Sequence, residues 1–149
     1  MDLSWKFNCF DELSVAELYA ILRLRNKVFV VEQNCVYQDA DNKDEISFHI
    51  TGWNDNVLTA YCRVLPPGIS FTEASIGRVV TAPAYRNTGC GRQLMEKAVG
   101  FTLDHFGCRK ITISAQCYLE KFYTSLGFVT MSATYLEDNI PHIKMQLSR

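Results

Sequence analysis

The sequence has no surplus of either charge. Its 15 lysines and arginines stand against 16 aspartates and glutamates, a formal net charge of −1. Without a basic excess nothing grips a phosphate backbone non-specifically, so no nucleic-acid partner is expected. No stretch approaches the ~20 consecutive apolar residues a membrane helix needs, so no membrane partner is expected either. The opening Met1-Asp2-Leu3-Ser4-Trp5-Lys6 lacks a basic start leading into an apolar run, and no signal peptide is expected. Histidine is scarce: His49, His105 and His142 stand apart from one another and from the cysteines, which argues against a zinc site, and no metal is expected. The six cysteines (Cys9, Cys35, Cys62, Cys90, Cys108 and Cys117) include no C-x-x-C pair. A chain of this size buries a core without disulfide staples, so they read as small buried apolar residues in a reducing, cytoplasmic compartment. No internal repeat, low-complexity tract or linker stands out. Pro66-Pro67-Gly68 is the strongest break and reads as a loop between strands.

What is present is one domain's worth of core-forming sequence. The 149 residues are 48% apolar and 21% charged, which predicts a single domain over residues 1–149. Ser14-Val15-Ala16-Glu17 is a capping box, with Leu13 and Leu18 at the positions of a hydrophobic staple. The spacing of Leu18, Ile21, Leu22, Arg25 and Phe29 predicts a helix over 15–29. Residues 46–53 and 57–65 read as strands joined by Asn54-Asp55-Asn56, residue types that tolerate the positive φ of a tight hairpin. Further strands are predicted over 4–8, 74–81, 109–115, 128–136 and 142–147. Helices are predicted over 89–106 and 117–125, the second ended by Gly127. This mixture, with a strand–helix–strand unit over 74–115, predicts an α/β or α+β sheet domain.

The most informative stretch runs from Ile76 to Met95. A Val-rich strand enters a Pro-bearing loop, then Arg86-Asn87-Thr88-Gly89-Cys90-Gly91-Arg92 opens an amphipathic helix. The first amides of a helix have no internal partners, and the helix dipole places partial positive charge there. Glycines at 89 and 91 would let that backbone approach phosphate oxygens without a Cβ in the way. Arg86, Arg92 and Lys97 against Glu96 add local positive charge. This is not a P-loop, because Arg92-Gln93 follows Gly91 where Lys-Ser/Thr is required. Nor is it a dinucleotide fingerprint, whose third glycine is replaced by Leu94.

Arg86-x-x-Gly89-x-Gly91 after such a strand resembles the acetyl-CoA motif of the GNAT N-acetyltransferases. Phe122-Tyr123-Thr124-Ser125-Leu126-Gly127-Phe128 resembles the family's downstream F-Y-x-x-x-G-F segment. Residues 24–33 and the closing Glu137-Asp138-Asn139-Ile140-Pro141-His142 resemble the ElaA-like subgroup, so the likeness spans residues 13–145. It implies a mixed, bent central sheet of six to seven strands flanked by about four helices. Two central strands, 74–81 and 109–115, would splay to admit the pantetheine arm of acetyl-CoA, the implied cosubstrate.

By the same resemblance, Val79 and Val80 present backbone to the thioester, and Arg86, Asn87, Thr88, Gly89, Cys90, Gly91 and Arg92 cradle the pyrophosphate. Tyr123 stands at the position of the general acid for the departing thiol. The base that deprotonates the amine is left between Glu32, which follows an apolar run, His142, and a water chain. Arg25 and Gln33 belong to the subgroup segment and are candidates for binding the acceptor, Arg25 alternatively for a structural ion pair. Asp39, Asp41, Asp44 and Glu45 against Lys43 form an acidic stretch that reads either as a rim attracting a cationic amine or as a solvated loop. An EF-hand reading fails, because Asp44 occupies the position where the loop requires glycine. The implied reaction is acetyl transfer to a primary amine of a small molecule or protein. A non-catalytic acyl-CoA-binding module and a transferase of longer acyl groups are the alternatives, and a homodimer is compatible with the family.

Overall fold

The computed structural model describes residues 2–149. Its strands fall into two groups. β1 (Ser4–Cys9), β2 (Phe48–Asn54), β3 (Val57–Leu65) and β4 (Ser75–Thr81) form an antiparallel sheet in that order. The β2–β3 hairpin closes as the sequence predicts: Asn54 pairs with Val57, and Asp55 turns the chain at φ +53°. β5 (Lys110–Gln116) pairs with β8 (Ile140–Ser148), and β8 in turn takes β6 (Val129–Thr130) and β7 (Tyr135–Glu137). Among the described residues the sheets meet at one parallel bridge, Ala74 to Ile111, where the Thr112 amide donates to the Ala74 carbonyl at 3.0 Å. Beyond it β4 and β5 diverge. The bent GNAT-like sheet is therefore split into two halves of four strands each, eight in all rather than six or seven.

α1 (Val15–Arg25) begins with the expected capping box. The Glu17 amide donates to Ser14 Oγ at 3.0 Å, and the Ser14 amide donates to the Glu17 carboxylate at 2.8 Å. The predicted single helix over 15–29 is corrected: past Arg25 the chain continues as the wider π-turns of Asn26–Glu32. The wider turns pack Val28 into the cluster beneath α1 and bring Phe29 and Gln33 to the cleft between the sheets. α2 (Cys90–Phe106) buries Leu94, Met95, Ala98 and Val99 against the sheets. α3 (Glu120–Ser125) follows one tight turn, Cys117–Leu119, so there are three α-helices where about four were expected.

The predicted strand over 128–136 is also corrected. Ser132 Oγ takes the Lys144 amide at 3.0 Å, a bond that a backbone carbonyl would otherwise make. The chain bows there, leaving β6 and β7 as separate short strands. A second apolar cluster packs α1 on the first sheet through Ile21, Leu24, Val28, Leu58, Tyr61 and Val80.

Candidate active site

The divergence of β4 and β5 opens a cleft of about 880 Å³. Ile76, Gly77, Arg78 and Val79 line one wall, and Ile113, Ser114 and Gln116 the other. Phe29 and Gln33 close it from the end of the first helical segment, and Tyr123 lies in its depth. The β4 wall is kinked: Tyr61 pairs with Val80 and Arg63 with Gly77, so Arg78 and Val79 together oppose Cys62. This bulge puts Arg78 at φ +50° and turns Val79 to the cleft. Val80 instead packs into the α1 cluster at 4% exposure, so of the two expected thioester positions only Val79 reaches the lining.

The turn into α2 has open amides. Gly89, at φ +84°, is the residue before the helix and carries no side-chain cap. The first turn-closing bond is the Gln93 amide to the Gly89 carbonyl at 3.1 Å. The preceding Asn87 is also left-handed, at φ +62°. A Cβ on Gly91 would stand in ordinary contact with Thr81 Oγ1 at 3.4 Å, which places the helix start beside the end of β4. Cys90 is 2% exposed with its thiol against Thr59, leaving only its backbone for a ligand. Thr88 is held by its hydroxyl on the Tyr85 carbonyl at 2.6 Å. The Arg92 guanidinium reaches Ser125 Oγ at 2.6 Å.

Tyr123 is 5% exposed, and among the described residues its hydroxyl has no hydrogen-bond partner. Burial pushes its phenol well above the usual range, so it holds its proton at neutral pH. Across the cleft lies a polar cluster. His142 Nδ1 meets the Ile140 carbonyl at 2.6 Å, and its Nε2 lies 3.4 Å from Glu137 Oε2. Ser114 Oγ lies 2.6 Å from the Tyr135 hydroxyl and donates to Glu137 Oε1 at 3.2 Å. Gln33 and Gln116 join by reciprocal amide hydrogen bonds of 3.1 and 3.3 Å. Tyr123, His142 and Gln33 thus share one cleft. Glu137, Tyr135 and Ser114 went unread as site residues. For Ser114 the signal was the period-two alternation of β5, whose other face is core.

Three expectations end elsewhere. Glu32 is half-exposed and ion-paired with Arg86, outside the cleft lining, so it lacks the desolvated setting expected of a base. Arg25 is fully buried: its Nε meets Asp39 Oδ2 and its Nη1 meets Asp44 Oδ1, both at 2.7 Å, while Nη2 donates to the Asp39 carbonyl. Fully buried and outside the cleft lining, it is out of an acceptor's reach, and Arg25 serves the ion-pair alternative. The acidic stretch is not a free rim either, because Asp39, Asp41 and Asp44 are matched by Arg25, Arg63 and Arg78. Burial alone would raise the Asp41 carboxyl, but Arg63 and then Arg78 hold it well below the usual carboxylate range. Asp44 is depressed likewise: Arg25 and Arg63 outweigh its burial.

With this geometry in view, the comparisons with known proteins agree. A family model described as an acetyltransferase (GNAT) domain matches residues 22–149. Protein ElaA of Escherichia coli (strain K12) is 42% identical over 145 residues, covering 96% of this chain and 95% of that protein. The crystal structure of an acyl-CoA N-acyltransferase from Pseudomonas aeruginosa superposes with a TM-score of 0.93 at 41% identity, covering 99% of this chain and all of the other. The crystal structure of Escherichia coli ElaA gives 0.92 at 40% identity, again over 99% of this chain.

Proposed function

The chain belongs to the acetyltransferase (GNAT) family, and from that premise we propose that it moves an acetyl group from acetyl-CoA to a primary amine of a small molecule or protein. The observation that carries the reading is the parting of β4 and β5 beyond the Ala74–Ile111 bridge, beside a helix start whose amides are open. Parted strands expose backbone polar groups, and the amides of a pantetheine arm satisfy them as an added strand would. The pyrophosphate lies on the amides of residues 86–92, with Arg86 and Arg92 beside it. Arg86 leaves Glu32 to meet the phosphate.

The thioester carbonyl then lies at the β4 bulge, where the Val79 amide stabilises the developing oxyanion. The amine nitrogen attacks, the C–S bond breaks, and Tyr123 gives its proton to the departing sulfur. A buried phenol with no internal partner suits this role: it is protonated at working pH, and its hydroxyl is free to meet the thiol. His142 is the base in this reading, since it faces the cleft and Glu32 does not.

The test is free-thiol release from acetyl-CoA with a panel of amines. Tyr123→Phe is expected to lower kcat by about 10²–10⁴-fold, the usual worth of a general acid, while acetyl-CoA affinity changes little. Unchanged turnover at saturating substrates rejects the role of Tyr123. Tight acyl-CoA binding without transfer to any amine favours the non-catalytic module.

A further inference from the structure

One polar face of the second sheet borders the cleft, and its chemistry specifies an acceptor. Alternate residues of β5, β7 and β8 place Ser114, Gln116, Tyr135, Glu137, His142 and Lys144 on that face. The opposite faces of β5 and β8 carry Ile111, Ile113, Ile143, Met145 and Leu147 into the core.

The charges of this face are poised but incomplete. The Ile140 carbonyl can only accept, so His142 donates through Nδ1, and in the neutral ring the lone pair is then on Nε2, on the side of Glu137. In that form Nε2 and Glu137 Oε2 stand 3.4 Å apart as two acceptors. A primary ammonium, with three N–H groups, completes the arrangement. Lys144 lies two residues along β8 from His142, about 6.6 Å away on the same face. Its ammonium rests over the Phe71 ring at 5.6 Å and forms no ion pair among the described residues. The neighbouring Arg63 and Arg78 are taken by Asp39, Asp41 and Asp44, and Lys43 donates to Ser70 Oγ at 3.3 Å, so Lys144 is a cation left for a ligand.

We propose that this face is the acceptor site and that the acceptor is an amino carboxylate. Its ammonium sits between Glu137 and His142, and its carboxylate meets Lys144. The proposal rests on the acyl-transfer reading and adds the substrate class. In the reaction the ammonium gives one proton to His142 Nε2, and the imidazolium is stabilised by Glu137. The freed amine forms the N–C bond to the acetyl carbon as the C–S bond breaks. Tyr123 protonates the sulfur, the second amine proton returns to Tyr123 through solvent, and the proton on His142 leaves to water.

The experiment compares amino acids with their own carboxamides as acceptors, in the presence of acetyl-CoA and with thiol release as readout. Each pair presents the same ammonium with and without the carboxylate. The expected result is a kcat/KM preference for the carboxylate of at least ~10-fold, the size of one charge-assisted contact. Lys144→Met should bring the ratio within about twofold, and Lys144→Arg should retain it. Glu137→Gln should lower kcat/KM by at least ~10-fold, mainly through the acceptor KM. Carboxamides used as well as amino acids, or a ratio unmoved by Lys144→Met, overturns the proposal. So does transfer to no amino acid in the panel while acetyl-CoA still raises the melting temperature. A melting temperature indifferent to acetyl-CoA instead overturns the underlying acyl-transfer reading.

Discussion

At the scale of single residues, groups that face the reaction separate from groups that hold the scaffold. His142 and Glu32 both stood as bases, and only His142 reaches the cleft. His142→Ala should therefore remove the acidic limb of the pH–rate profile, and Glu32→Gln should keep it. A profile in which Glu32→Gln loses the limb reverses the assignment. Arg25 belongs to the scaffold. With its guanidinium fully buried between Asp39 and Asp44, Arg25→Met strips a buried cation from two half-buried carboxylates. Such breakage costs about 3–5 kcal/mol, and Arg63 and Arg78, which still hold those aspartates, keep the loss near the lower end. Urea unfolding measures it, and a loss within about 0.5 kcal/mol, typical of an exposed site, contradicts the buried pairing. Arg25 shows what spacing alone leaves open. An arginine on an apolar helix face announces a partner, but its carboxylates arrive from a loop more than a dozen residues later.

Elements carry the next level, and two glycines in and beside α2 give opposite expectations. Gly89 sits at φ +84°, where a Cβ meets its own backbone. Gly89→Ala should lose about 1–2 kcal/mol and loosen acetyl-CoA binding with the turn. Gly100, within α2, has ordinary helical geometry, and a methyl group added there would meet nothing within 4 Å. Gly100→Ala should gain about 0.5–1 kcal/mol and leave binding alone. Denaturant midpoints with calorimetric titration check both. The same contrast marks what was legible in the sequence. The capping box at Ser14, the hairpin at Asp55 and the helix start at Gly89 are written in local chemistry, and each appears where expected. The break between β6 and β7 depends on the Ser132 hydroxyl meeting the Lys144 amide across the sheet. The widening after Arg25 depends on what the helix packs against. Pairings between distant residues decide both, and local pattern does not encode them.

At the scale of the whole molecule, the charged layer beneath the cleft ties stability to pH. His49 is fully buried, its Nε2 donating to the Asp44 carbonyl at 2.8 Å and its Nδ1 accepting from the Tyr61 hydroxyl at 2.7 Å. Burial lowers its pKa, with Arg25 and Arg63 adding to the effect and Asp44 opposing it. The fold thus favours neutral His49. Its contribution is complete above the ordinary histidine value of about 6.5 and is lost as pH falls through the lower folded value. Asp41 and Asp44, also depressed, contribute above the ordinary carboxylate range and add their loss only in stronger acid. Urea midpoints should therefore fall between about pH 7.5 and about pH 5.5, with the slope flattened in His49→Gln. An unchanged midpoint over that window contradicts the buried neutral histidine. The central claim is that the divided sheet and the open amides of α2 together hold an acyl-CoA. Thermal melts with acetyl-CoA, CoA, ATP and NAD test it most directly. Acetyl-CoA and CoA at about 100 times their dissociation constants should each add about 2.7 kcal/mol of stability, with ATP and NAD far behind. Equal shifts from all four ligands, or none from the CoA species, would contradict it.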